Sequence, residues 1–174
     1  MNENMSTAIT DLDYMKQAYR RGSLYSTDPS TQNGAVIVNP RTGRIISTGV
    51  NKFPRGVQDK PERWERPIKY SYVEHAERSA IYSAALTGEA TVGCTMYCYW
   101  AACADCARAI ILSGISRLVT HKIIMDVSHE RWKDTIEVAF GMLREAGVEL
   151  DQVDEPIEEY QIRFNGELWT PNGK

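Results

Sequence analysis

The sequence predicts an α/β fold: a three-layer sandwich whose central mixed five-stranded sheet is flanked by helices on both faces. Two observations carry that expectation. Helical and strand-like segments alternate in the order α-β-β-α-β-α-β-α-β. An apparent hairpin comes first and βαβ crossovers follow, a mixture that gives antiparallel and parallel pairing in one sheet.

The elements follow in chain order. Asp11 to about Tyr25 carries Leu12, Met15, Ala18 and Tyr19 near helical spacing, and Asp28-Pro29 breaks the pattern. Gly34–Asn39 (GAVIVN) is an almost continuous apolar run and reads as a buried strand. Pro40-Arg41-Thr42-Gly43 turns the chain into a returning strand, Arg44–Val50. Residues 51–73 form a long connection with six basic and three acidic side chains, and its three prolines argue against a helix. A loop of that length is usually functional or mobile. Glu74 to about Leu86 is a second helix, ending near Gly88. Thr95–Trp100 is a strand, and Cys103–Ser113 a third helix stopped by Gly114. Ser116–His121 is a strand, Asp134–Ala146 a fourth helix, and Val148–Gln152 a fifth strand. Residues 1–10 read as a loose arm, 11–152 as one domain and 153–174 as an acidic tail. Asp151–Glu159 holds five acidic residues and no basic one, the pattern of a solvated surface segment.

Composition limits the function classes. With 174 residues, 43% hydrophobic and 25% charged, the chain fits one soluble domain. A net charge of −3 argues against a generally basic nucleic-acid coat. No apolar stretch approaches the ~18 residues of a membrane span. The polar start, MNENMSTAITDLD, lacks a signal-peptide core, so a cytoplasmic location is expected. The four cysteines, Cys94, Cys98, Cys103 and Cys106, fall within 13 positions, a clustering that suits a metal site or burial better than a disulfide framework.

Two short segments carry the chemistry. His75-Ala76-Glu77 and Cys103-Ala104-Asp105-Cys106 each open a predicted helix. One His and two Cys make three zinc ligands, and zinc with three protein ligands keeps a position for water. Cys103 and Cys106, three apart in a first helical turn, present both thiols to one side. Helix N-termini favour thiolates, and two thiolates neutralise a divalent ion. Glu77, two residues past His75, can reach that water and move its proton without binding metal. Together the two segments form the zinc deaminase signature, His-x-Glu followed by Pro-Cys-x-x-Cys, with Ala102 where the signature has proline.

Beyond the signature, residues 11–150 resemble the deoxycytidylate (dCMP) deaminases of the cytidine-deaminase-like superfamily. DPSTQNGAVIV (28–38), STGVNKFPRGV (47–57), VEHAERSAIYSAA (73–85) and TMYCYWAACADCARAIILSGI (95–115) carry the likeness, as does RWKDTIEVAFGMLREAGV (131–148). Asn51-Lys52-Phe53-Pro54-Arg55-Gly56 is similar to the N-x-F-P-x-G segment of that family. The resemblance implies one catalytic Zn²⁺ on His75, Cys103 and Cys106. It implies hydrolysis of dCMP to dUMP and ammonia, with the activated water adding to C4 of cytosine and Glu77 shuttling protons. It also implies contacts of Asn51 with the nucleotide, of the Ala76 backbone with the base, and of Trp100 and Ala101 with the pocket. The phosphate is expected near Ser30 and Thr31, aided by a basic residue of the 52–69 loop. The resemblance also implies a homo-oligomer, often a hexamer in the family, and some members are activated by dCTP and inhibited by dTTP.

Other readings stay open at the level of sequence. The same chemistry suits another cytosine or adenine compound, a pterin-type precursor or a polynucleotide, the last disfavoured by the acidic balance. Cys103 and Cys106 alone could be a redox pair, which leaves His75 and Glu77 without a role. A zinc-stabilised binding module would recruit Cys94 or Cys98 as a fourth ligand. A second zinc on Cys94 and Cys98 with His121 or His129 is the sharp alternative to simple core packing of those cysteines.

Overall fold

The computed structural model describes residues 9–127 and 132–172. It contains helix α1 (Asp11–Tyr25), strands β1 (Gly34–Asn39) and β2 (Arg44–Val50), and the short helix α2 (Lys69–Tyr72). Helix α3 (Ala76–Thr87), strand β3 (Thr95–Cys98), helix α4 (Ala104–Leu112) and strand β4 (Arg117–His121) follow. Then come α5 (Lys122–Asp126), α6 (Lys133–Glu145), β5 (Glu149–Val153), β6 (Ile162–Phe164) and β7 (Glu167–Trp169). The main sheet runs β2-β1-β3-β4-β5. Its first two pairings are antiparallel and its last two parallel, so the predicted mixed five-stranded sheet is what forms.

Alternation along the strands separates two cores. Ala35, Ile37, Met96, Cys98 and Leu118 face α3, α4 and α6, meeting Ala76, Ala80, Cys106, Ile110 and Leu143. Val36, Val38, Tyr97, Tyr99 and Val119 face the other way, onto Tyr14, Met15, Ala18 and Tyr19 of α1. Helices therefore cover both faces of the sheet. Helix α1 starts at Thr10, whose hydroxyl accepts from the Asp13 amide while the Asp13 carboxylate accepts from the Thr10 amide, a capping box. Of the expected N-terminal arm, only Ile9 and Thr10 lie within the described residues.

Close backbone approach fixes the layers. A Cβ at Gly49 of β2 would lie 2.1 Å from the Ala76 carbonyl oxygen and 2.2 Å from the Ala80 nitrogen. Helix α3 thus rests directly on the sheet, and a glycine is required there.

Two expectations need correction. The prolines of the 51–73 connection do not exclude helical turns: a 3₁₀ turn covers Pro61–Trp64, and α2 begins just after Pro67. Proline is tolerated where a helical turn opens, because its missing N–H would be unpaired there anyway. The C-terminal segment is not a solvated tail. Its acidic side chains Asp154, Glu155, Glu158 and Glu159 are exposed, but Ile157 and Ile162 are fully buried and Phe164 is 7% exposed. Three apolar residues among charges seat β6 on α1, and charge counting over the segment hid them. Among the described residues no helix is long and apolar enough to cross a membrane.

The Gly49 contact is testable. Gly49→Ala should lower unfolding stability by about 1–3 kcal/mol or more, because the added carbon meets backbone that cannot yield. Gly141→Ala, inside α6 with nothing within 4 Å, should raise it by about 0.5–1 kcal/mol in the same denaturant titration.

Candidate active site

Helices α3 and α4 aim their N-termini at one point. His75 is the N-cap of α3 and Cys103 the N-cap of α4, both in extended conformation, with Cys106 one turn further on. His75 Nδ1 lies 3.6 Å from the sulfur of Cys103 and 3.6 Å from that of Cys106. All three ligand atoms lie within 4.8 Å of one another, the one such trio found among the described residues. A tetrahedral zinc with Zn–S of about 2.3 Å and Zn–N of about 2.0–2.1 Å sets its nitrogen and sulfur ligands ~3.6 Å apart. The donor set and its spacing therefore fit zinc.

The charges of these groups bear on one another. The Cys106 thiol hydrogen-bonds Cys103, which with help from His75 lowers the Cys103 pKa to about 3 and raises that of Cys106. Burial works against a charged His75 ring, yet its contact with Cys103 and the charge of Glu77 outweigh this and raise its pKa. Glu77 is 1% exposed, and burial above all pushes its carboxyl up to about 7. Its Oε2 is buried without a hydrogen-bond partner. Buried carboxylate oxygens are normally satisfied, so an orphan beside three metal-ligating atoms marks a place where a reacting group belongs.

Asn51 holds the site from the sheet side. Its Oδ1 accepts from the Ala76 amide at 3.0 Å, and its Nδ2 donates to the Thr31 carbonyl at 3.0 Å. One carboxamide thus joins the end of β2, the start of α3 and the 28–33 segment. The bridge between Lys52 and Glu74 reinforces the join, with each backbone amide donating to the other's carbonyl.

Above the trio lies a cleft of about 590 Å³ including its open mouth, and Thr31, Asn51, Glu77, Trp100 and Ala101 are among the residues that line it. Ser30 and Ala76 are not part of that lining. Ala76 is fully buried with its amide given to Asn51, and the Ser30 hydroxyl accepts from Arg66 at 3.2 Å. Sequence reasoning missed Asp28, Asn33, Tyr70, Val73, Trp132, Thr135 and Ile136, all of which line the cleft. Trp132 meets both Trp100 and Tyr70 edge-on, at 5.8 and 6.0 Å between ring centres. Cys94 and Cys98 are core residues: Cys98 accepts from Asn33 Nδ2 at 3.3 Å, and Cys94 packs with Ile115 and Leu118. Both ring nitrogens of His121 are engaged, by the Tyr19 hydroxyl at 2.8 Å and the Glu155 carbonyl at 3.0 Å. His129, the other histidine considered for a second zinc, lies outside the described residues.

Residues 8–122 match the cytidine and deoxycytidylate deaminase zinc-binding region. The chain belongs to that family. It is 40% identical over 126 residues to an uncharacterized deaminase of Aliivibrio fischeri, covering 72% of this chain and 82% of that protein. It is 38% identical over 100 residues to the deoxycytidylate deaminase of Homo sapiens, so the match spans about half of each chain, 54%. Among solved structures it resembles the dCMP deaminase of cyanophage S-TIM5 in complex with dCMP and dUMP. That likeness has a TM-score of 0.64 at 25% identity, covering 88% of this chain and 99% of that one.

Among the described residues, Arg66 and Lys69 line this deaminase cleft, and their surroundings differ. Lys69 and Asp28 form a buried ion pair at 2.8 Å, with side chains 6% and 1% exposed. The Asp28 carboxylate also accepts from the Ser30 and Thr31 amides at 2.8 and 2.9 Å. Arg66 is exposed and bonds only the neutral Ser30 hydroxyl among the contacts described. Lys69→Met strands a buried carboxylate and should cost about 3–5 kcal/mol of unfolding free energy. Arg66→Ala should change it by no more than about 0.5 kcal/mol. Urea unfolding of the two variants reads the difference.

Proposed function

We propose that the protein is a deoxycytidylate deaminase that hydrolyses dCMP to dUMP and ammonia. The observation that carries this reading is the orphaned, buried Glu77 oxygen beside His75, Cys103 and Cys106 at the floor of a cleft whose mouth carries Arg66. The names of the human and cyanophage relatives support the choice of nucleotide.

His75, Cys103 and Cys106 would hold zinc, which would lower the pKa of a water enough to make it a nucleophile near neutral pH. Glu77 does the proton work. Its carboxylate takes the proton that water loses as the C4–O bond forms, and delivers it to N3 of the cytosine ring. It then passes a second proton from the C4 hydroxyl to the amine, the C4–N bond breaks, and ammonia leaves. Burial lets one carboxyl both accept and return a proton, because its charged form gains little solvation. Trp100 and Ala101 wall the base. Asn51 acts first as a positioning residue, since its carboxamide already bonds the Ala76 amide and the Thr31 carbonyl.

The phosphate falls to Arg66. The buried Asp28 already balances Lys69, so among the described residues Arg66 is the lining cation left to meet an anion. Its planar guanidinium suits phosphate, and Ser30 holds it at the mouth. This reading includes a cytoplasmic homo-oligomer, with a hexamer favoured and dCTP and dTTP as candidate effectors, as the family resemblance implies.

The test is an ultraviolet assay of zinc-loaded protein on dCMP and on deoxycytidine, for the parent and for Arg66→Ala. The parent should turn over dCMP far faster than deoxycytidine. Arg66→Ala should raise KM for dCMP by roughly ten- to a hundredfold, the worth of a charge-assisted contact, and leave deoxycytidine turnover unchanged. Equal turnover of both substrates by the parent would overturn the nucleotide assignment.

A further inference from the structure

The family match ends at residue 122, and the β6–β7 hairpin lies wholly beyond it. Nothing in the chemistry above calls on it, yet two walls of the cleft lean against it.

The first wall is the 28–33 segment, which supplies Asp28, Thr31 and Asn33 to the lining. The Gln32 amide donates to the Arg163 carbonyl at 2.9 Å, and the Arg163 amide donates back to Gln32 Oε1 at 2.8 Å. At the hairpin tip the Gly166 amide donates to the Ser30 carbonyl at 2.8 Å. The tip is a two-residue turn, Asn165-Gly166, with φ of 54° and 89°. Such turns need positive φ at both central positions, which asparagine and glycine tolerate. The turn thereby frees the Gly166 amide to face outward to Ser30, whose hydroxyl in turn holds Arg66.

The second wall is Trp100. The Phe164 ring stands edge-on to it, at 5.4 Å and 88°, and is backed by Trp169 at 5.8 Å. Phe164 is 7% exposed, so it is seated firmly enough to set the plane of its neighbour.

We infer that the β6–β7 hairpin is a positioning element of the substrate cleft. It anchors the 28–33 segment through backbone amides and orients Trp100 through Phe164. Its effect on catalysis rests on the dCMP reading; its mechanical claim does not. Walls held in place before substrate arrives need no ordering when it binds, so such an element can set substrate affinity without touching substrate.

The experiment compares the full-length zinc-loaded parent with Phe164→Ala, Phe164→Tyr and Gln32→Ala. Amide hydrogen exchange, read without substrate, should speed up at residues 28–33 and around Trp100 in Phe164→Ala, and at residues 28–33 in Gln32→Ala. Exchange at 75–77 and 103–106 and zinc content should stay as in the parent. KM for dCMP should rise about tenfold in Phe164→Ala with kcat within about threefold, and Phe164→Tyr should hold KM within about twofold. Gln32→Ala, made at a surface link, keeps the test alive if Phe164→Ala does not fold. Unchanged exchange over 28–33 in the folded variants would overturn the inference, as would an unmoved KM. A parent that ignores dCMP refutes the substrate reading instead, and exchange alone then judges the hairpin.

Discussion

Everything at this site depends on two helix N-termini being brought to one point. Helix α3 can lie there only because Gly49 lets its backbone rest on β2. Asn51 then ties its first amide to the sheet and to the 28–33 segment. With α3 so placed, His75 caps it and Glu77 falls in its first turn. Helix α4 is held from outside, where its first amide donates to the Thr135 hydroxyl of α6 at 3.2 Å. The ligand trio is therefore preorganised by backbone packing, not by long side chains searching for an ion.

Charge is distributed with the same economy. Glu77 is buried at the cleft, and burial above all raises its carboxyl to about 7. Lys69 is also buried, but Asp28 cancels its charge, and the pair serves to pin α2 to the loop after α1. Arg66 is exposed, and its described bond is to the neutral Ser30 hydroxyl. One cleft thus carries a buried ion pair and an exposed cation side by side.

Much of this was legible in the residues. Alternating apolar patterns located all five strands of the main sheet to within two residues at each end. The paired His-x-Glu and Cys-x-x-Cys segments pointed to a zinc trio because their spacing is a local property of helix starts. What stayed hidden depends on long-range contact. Asp28-Pro29 reads as a helix breaker, and nothing local says that its carboxylate meets Lys69, 41 residues away. The C-terminal hairpin was obscured for another reason. Its strands are three residues each, too short for a period-2 signal, and flanking carboxylates mask Ile157, Ile162 and Phe164. The Asn165-Gly166 turn was the one available clue.

The measurement that bears most directly on the account is single-turnover deamination of dCMP by Glu77→Gln, with zinc content and dUMP binding measured on the same sample. Glutamine keeps the shape and removes the proton carrier. The account predicts one zinc per chain, dUMP affinity close to that of the parent, and a chemical step slowed by about a thousandfold or more. Turnover within a few-fold of the parent, with zinc and dUMP bound normally, would contradict the role given to Glu77 and with it the mechanism built on its buried, unpartnered oxygen.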